Sequence, residues 1–126
     1  MDTHTWVWWV SGSRELSKIA KLAIDQSLND ETLYVSSISV WEIAMLVQRG
    51  RLALATDLGK WLAQNYSLTG LHFVSVDNRI ALESVMLNLH PDPADRMIVA
   101  TTAALSATLV TKDKRLQAQT DVPTLW

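Results

Sequence analysis

Five acidic residues stand where turns meet helices: Asp2, Glu42, Asp92, Asp95 and Asp113. Asp2 precedes an apolar segment, and Glu42 falls in the first turn of the helix expected after a strand beginning near Leu33. Asp92 and Asp95 open an apolar helix, and Asp113 follows the run TLVT. If those strands are parallel neighbours, their carboxyl ends share one edge of the sheet, and so do the acids. Converging carboxylates repel one another and take up protons unless a cation balances them. One or two Mg²⁺ or Mn²⁺ ions suit that task, since these hard ions prefer oxygen ligands and retain water. Such a water is activated for attack on a phosphodiester while the metal takes up charge on the phosphate oxygens.

The same positions also suit helix capping. Ser39 and Glu42 have the S-x-x-E spacing of a capping box, Asp92 precedes Pro93 as an N-cap with Asp95 at N3, and Asp113 caps the last helix. Spacing alone leaves both readings open, and they are compatible, because each needs a carboxylate at a helix start. Asp92 and Arg96, four apart, also fit an exposed ion pair.

The remaining chemistry is less specific. The chain has no cysteine, which excludes disulfides, thiolate nucleophiles and thiolate metal sites. His4, His72 and His90 show no repeated spacing, so a zinc site has no support. His4 fits either contact with a phosphate or one structural hydrogen bond. Arg49, Arg51, Lys112, Lys114 and Arg115 fit either a basic rim for a nucleic-acid backbone or ordinary solvated charges at helix ends. Tryptophans 6, 8, 9 and 41 fit base stacking, or burial against a partner.

The elements that must position these groups follow from periodicity. Apolar spacing predicts helices over Leu16–Leu28, capped by Ser17, from about Glu42 to Arg49–Gly50–Arg51, over Leu58–Tyr66, over Asp77–Leu89, and from Asp92 through the apolar run MIVATTAALSA. In the fourth of these, Ile80, Ala81, Val85 and Leu89 share a face. Thr32–Ser36, Leu71–Val76, Thr108–Thr111 and Val122–Trp126 read as strands, with a short helix over Asp113–Gln119. Helices alternating with short, continuously apolar strands argue a three-layer α/β/α sandwich with a mostly parallel central sheet, whose working crevice lies beyond the carboxyl ends of the strands.

A chain of 126 residues that is 48% hydrophobic carries one core, so residues 1–126 are read as a single domain. Its formal net charge of -2 supplies no global attraction for polyanions, and any nucleic-acid role needs a local device. The opening MDTHTWVWWV lacks the pattern of a signal peptide, and no run is long enough to span a membrane; the expectation is a cytoplasmic protein without membrane attachment.

Four segments in order, DTHTWVW at 2–8, SSISVWEIAMLVQRGRL at 36–52, HPDPADRMIVATTA at 90–103 and LVTKDKRL at 109–116, resemble a PIN domain of the VapC-like toxin ribonucleases. The resemblance implies that Asp2, Glu42 and Asp95 form the core metal site, that Asp113 completes or tunes it, and that Asp92 is an additional acid. It implies that Thr3, Ser39 and Thr111 line the site, and that Arg96 is an outer or substrate-side group; Lys112, flanking Asp113, is a further candidate for the substrate side. The family pattern has several apolar residues before its first aspartate, forming a central strand that ends there. Here Met1 alone precedes Asp2, and Trp6 to Trp8 cannot replace that strand without moving Asp2 to its other end.

The function implied is Mg²⁺- or Mn²⁺-dependent endoribonucleolytic cleavage of RNA, leaving a 5'-phosphate and a 3'-hydroxyl, by the toxin of a toxin–antitoxin pair. The expected partners are an RNA substrate, a cognate antitoxin and a second copy of the chain, with DNA reached only through the antitoxin. The expected antitoxin groove lies between the helix at Leu16–Leu28 and that at Trp41–Val47. The alternative is a catalytically weak or inactive PIN-like protein acting through its antitoxin or partner. A phosphoacceptor receiver domain also clusters acids around Mg²⁺, but it needs an acidic pair near position 10 and an acceptor after its third strand, and this sequence has no paired acids there.

Overall fold

The computed structural model describes residues 1–87 and 92–126; Leu89, assigned above to a helix, and His90, named among the histidines, lie outside the described residues. Seven helices and four strands alternate: α1 (Thr3–Ser11), α2 (Lys18–Asn29), β1 (Leu33–Ser36), α3 (Ser37–Gln48), α4 (Leu58–Tyr66), β2 (Leu71–Val74), α5 (Asn78–Met86), α6 (Pro93–Ala104), β3 (Leu109–Val110), α7 (Lys114–Ala118) and β4 (Thr124–Leu125), counted among the described residues. The fold is mixed α/β, with small parallel sheet pieces flanked by helices, as in a PIN-like α/β/α sandwich.

Polar side chains set most helix starts. Ser17, Asp57, Asp77, Asp92 and Asp113 each accept a hydrogen bond from a backbone N–H in the first turn that follows, satisfying a donor the helix itself leaves unpaired. Pro93 occupies the first turn of α6, where its missing N–H costs nothing. Gly70 turns the chain into β2 with φ +87°, and its hydrogen atom faces the backbone; a Cβ there would stand 2.1 Å from the Leu28 carbonyl oxygen.

β1 pairs with β2 in parallel, Leu33 opposite Leu71, and β3 pairs with β4, Leu109 opposite Thr124. Met1 and Asp2 lie between the two pairs. The Met1 amine donates to the Tyr34 carbonyl at 3.2 Å, and the Asp2 amide donates to the Val110 carbonyl at 3.1 Å. Two residues thus bridge β1 and β3 in the place expected for a central strand, and Asp2 emerges level with the carboxyl ends of both. Beside this bridge a cavity of about 470 Å³ is bounded by Leu33, Tyr34, Ile98 and Val110, among others.

The apolar segment that follows Asp2 is a helix. Asp2 caps it, Oδ1 accepting from the Thr5 amide at 2.7 Å, and Gly12 closes it in the left-handed conformation. The resulting α1 turns Trp6 into the centre of the larger core cluster, with Ile24, Leu33, Val35, Ile43, Trp61 and Leu71. Trp6 and Trp61 meet at 4.7 Å between ring centroids, and the Trp6 indole N–H donates to Asn65 Oδ1 at 2.8 Å. Trp9 donates to Asp25 at 3.0 Å. Of the tryptophans read above as fitting base stacking or partner burial, Trp6 is interior, Trp8 and Trp9 are half-buried, and Trp41 is 54% exposed. A second cluster of Ile98, Val99, Leu109, Leu116 and Val122 holds α6 and α7 against β3.

Two further expectations change. The helix predicted to start near Glu42 begins at Ser37, directly from β1, with Ser36 at its cap and no side-chain capping bond. α5 is nearly as predicted, but it buries Ile80 and Ser84, while Leu82, Val85 and Met86 point outward. Val85 is thus not part of the face that Ile80 buries. Among the described residues, no helix is long and apolar enough to cross a membrane.

Candidate functional site

The Met1–Asp2 bridge sets the ends of β1 and β3 side by side, and the helices that leave them start there. A cavity of about 390 Å³ opens at that edge, lined by Asp2, Glu42, Asp92, Asp95 and Asp113 together with Thr3, His4, Met45, Leu46, Arg49, Arg51, Arg115 and Leu116. All five acids singled out by sequence line this one space. They reach it from four elements: the cap of α1, the second turn of α3, the start of α6 and the cap of α7.

Three of the acids are anchored at their own helix starts. Asp2 is buried and capped to Thr5, Asp92 Oδ1 accepts from the Ala94 amide at 2.9 Å, and Asp113 Oδ1 accepts from the Arg115 amide at 2.7 Å. Glu42 makes no capping box with Ser39. Its Oε2 instead accepts from the Thr3 hydroxyl at 2.6 Å, and Thr3 Oγ1 lies 2.8 Å from Ser39 Oγ. The local S-x-x-E spacing predicted a helix start; a residue brought in by α1 takes both side chains instead. Thr3 and Ser39 are buried, so the Thr3–Ser39–Glu42 chain is fixed by packing as well as by hydrogen bonds. Thr111, also buried, accepts from the Asp113 amide through Oγ1 at 3.1 Å and holds the turn into α7.

A carboxylate has two oxygens, so a contact through one leaves room for ligation through the other. The donor set is all hard oxygen, which suits Mg²⁺ or Mn²⁺ over softer metals. Among the described residues, however, no three Asp, Glu or His side chains lie close enough together to hold one ion as they stand.

The basic groups divide in a way that spacing did not reveal. Arg49, Arg51 and Arg115 line the acidic cavity, whereas Arg96 is not among its lining residues, and its buried Nε has no hydrogen-bond partner among the described residues. The arginines just past the end of α3 are brought in by the exit turn through Gly50, a relationship invisible in sequence order. Lys112 lies to one side: its ammonium pairs with Glu15 at 2.6 Å, holding that carboxyl below its usual range, and sits 5.5 Å from the centroid of the Trp8 ring. His72 is tied to the Glu31 carbonyl at 2.9 Å, away from the acids.

Residues 1–122 match the PIN domain. Over 120 residues the chain is 34% identical to Ribonuclease VapC22 of Mycobacterium tuberculosis (strain ATCC 25618 / H37Rv), an alignment covering 94% of this chain and 88% of that protein. No solved structure matches.

Proposed function

The chain belongs to the PIN-domain family, and on that premise we propose that it is a metal-dependent endoribonuclease, the toxin of a toxin–antitoxin pair. The observation that carries this reading is the lining of a single cavity by Asp2, Glu42, Asp92, Asp95 and Asp113, drawn from four elements. Capping accounts for Asp2, Asp92 and Asp113 separately but gives no reason for the five acids to share one space.

In this reading Asp2, Glu42 and Asp95 would hold one or two Mg²⁺ or Mn²⁺ ions, with Asp113 at the edge and Asp92 as a further acid. Such an ion would supply an acidified water and charge compensation for the phosphate. Thr3 orients the Glu42 carboxylate, and Thr111 sets the turn that presents Asp113. Arg49, Arg51 and Arg115 give the phosphate oxygens of RNA a positive wall inside an acidic cavity, which reconciles a net charge of -2 with a polyanionic substrate. In-line attack leaves a 5'-phosphate and a 3'-hydroxyl. Cleavage of a labelled RNA with Mn²⁺, and its loss on adding EDTA, tests the reading.

A second reading, in which the chain acts by binding a partner with little or no catalysis, is favoured by one observation: among the described residues the acids are not gathered into a ready metal-holding group. Cleavage that EDTA abolishes and Mn²⁺ restores excludes it.

The toxin reading also requires an antitoxin and fits a homodimer. Ile19 and Leu22 on α2 and Trp41 on α3 are exposed, in keeping with the groove expected between those helices, and Leu82, Val85 and Met86 give α5 an apolar outer face as well. Light scattering of the chain alone and with the co-expressed product of the neighbouring gene tests both assemblies. A monomer that co-purifies with nothing and cleaves RNA unchecked would end the toxin reading and leave the nuclease reading standing.

A further inference from the structure

Beside the acidic cavity lies a second depression of about 370 Å³, lined by Asp2, His4, Trp8, Lys112, Asp113 and Lys114. The two spaces share Asp2, His4 and Asp113, so whatever sits over the acids is flanked by this one. Its distinguishing content is aromatic. His4 and Trp8 are one turn apart on α1, their ring centroids 5.9 Å from each other and tilted by 48°. His4 is exposed and Trp8 half-buried. Trp126 braces the indole edge-on at 5.9 Å, which fixes its orientation from the protein side.

Two lysines stand around these rings. Lys112 lies over Trp8 and is tied to Glu15 by an ion pair exposed at both ends, a weak restraint that a phosphate can replace. Lys114 donates to Gln117 at 2.9 Å on the surface of α7. A braced aromatic platform with exposed cations at its rim is the recurring chemistry of single-stranded nucleic-acid binding: bases stack on rings, and ammonium groups follow the backbone.

We propose that His4, Trp8 and Lys112 form a base-binding subsite for the unpaired ribonucleotide next to the scissile phosphate. This rests on the nuclease reading of the acidic cavity and adds to it the residues that seat the base flanking the cut. A base in a continuous duplex is stacked on its neighbours and unavailable to the platform. Trp8 is a binding residue in this scheme and touches no reacting atom.

The test is a double-mutant cycle between protein and RNA. A labelled oligoribonucleotide is cleaved with Mn²⁺, and the same oligonucleotide is prepared with the base removed on one side or the other of the mapped cut. For the wild-type chain, loss of the flanking base on one side raises KM about tenfold, the scale of one base–aromatic stack, with kcat nearly unchanged. W8A raises KM by a similar factor and is then indifferent to the missing base, while W8F recovers most of the loss. If W8A loses its cooperative urea melt, H4A carries the same cycle. Additive losses from W8A and base removal, or a fall in kcat at constant KM, overturn the subsite while RNA cleavage itself upholds the nuclease reading. A wild-type chain that cleaves no RNA overturns both.

Discussion

Thr3 donates a hydrogen bond of 2.6 Å to Glu42 across 39 positions of sequence, joining the first turn of α1 to the second turn of α3. The bond fixes a carboxylate that nothing in its own helix restrains. Thr3→Val, nearly equal in volume, removes the donor and is expected to lower RNA cleavage by ten- to a hundredfold, the usual scale for groups that orient a metal ligand. It is expected to cost about 1–2 kcal/mol of stability. Thr3→Ser should restore most of both. Paired cleavage assays and urea melts check the pattern, and full activity in Thr3→Val would remove Thr3 from the account.

Asp95 sits in the first turn of α6, where a negative charge complements the helix N-terminus, among other acids that oppose it. Asp95→Asn is therefore expected to change stability by no more than about 1 kcal/mol while abolishing cleavage. A urea melt without divalent metal, alongside the RNA assay, measures both. A loss above about 3 kcal/mol would assign Asp95 a structural role instead.

The comparison of Asp95 with Glu42 shows what was legible in the sequence. Asp92, Pro93 and Asp95 form a local signal, a capped helix start, and the structure follows it. Glu42 carried an equally good local signal with Ser39, but both side chains are taken by Thr3, a long-range partner that no local spacing reveals. Leu58–Tyr66 and the Ser17 cap were readable because caps and apolar periodicity agreed there. α1 was hidden by its composition: THTWVWWVS is rich in β-branched and aromatic residues, yet the Asp2 cap and burial of Trp6 make it helical. The gathering of acids followed from topology alone. Arg49 and Arg51 join them through the turn after α3, and Arg115 from α7.

The Met1 amine is buried, and burial lowers its pKa from the ordinary 8.0 to about 6, against the opposing pull of the Asp2 charge. Between pH 6 and 8 the unfolded chain holds more of this proton than the folded one, so stability rises with pH across that window and this contribution levels off on either side. The gain is roughly 2–3 kcal/mol at most. Urea melts of the metal-free chain from pH 5.5 to 8.5 measure it. Acetylating the amine should flatten the slope, and an unchanged slope would assign it to other groups.

Gly70 combines φ +87° with a Leu28 carbonyl oxygen 2.1 Å from where a Cβ would stand. Gly70→Ala must therefore displace backbone and is expected to cost more than about 3 kcal/mol. A denaturation midpoint close to that of the wild type would show that the turn into β2 is looser than described.

Diffraction from crystals soaked in Mn²⁺, recorded for the anomalous signal of manganese, tests the central claim most directly. The account predicts a peak in the cavity at the carboxyl edge, within about 2.0–2.4 Å of oxygens from at least two of Asp2, Glu42 and Asp95, and its loss in Asp95→Asn. A cavity that stays without a peak at saturating Mn²⁺, or a peak bound only by residues outside it, would contradict the account.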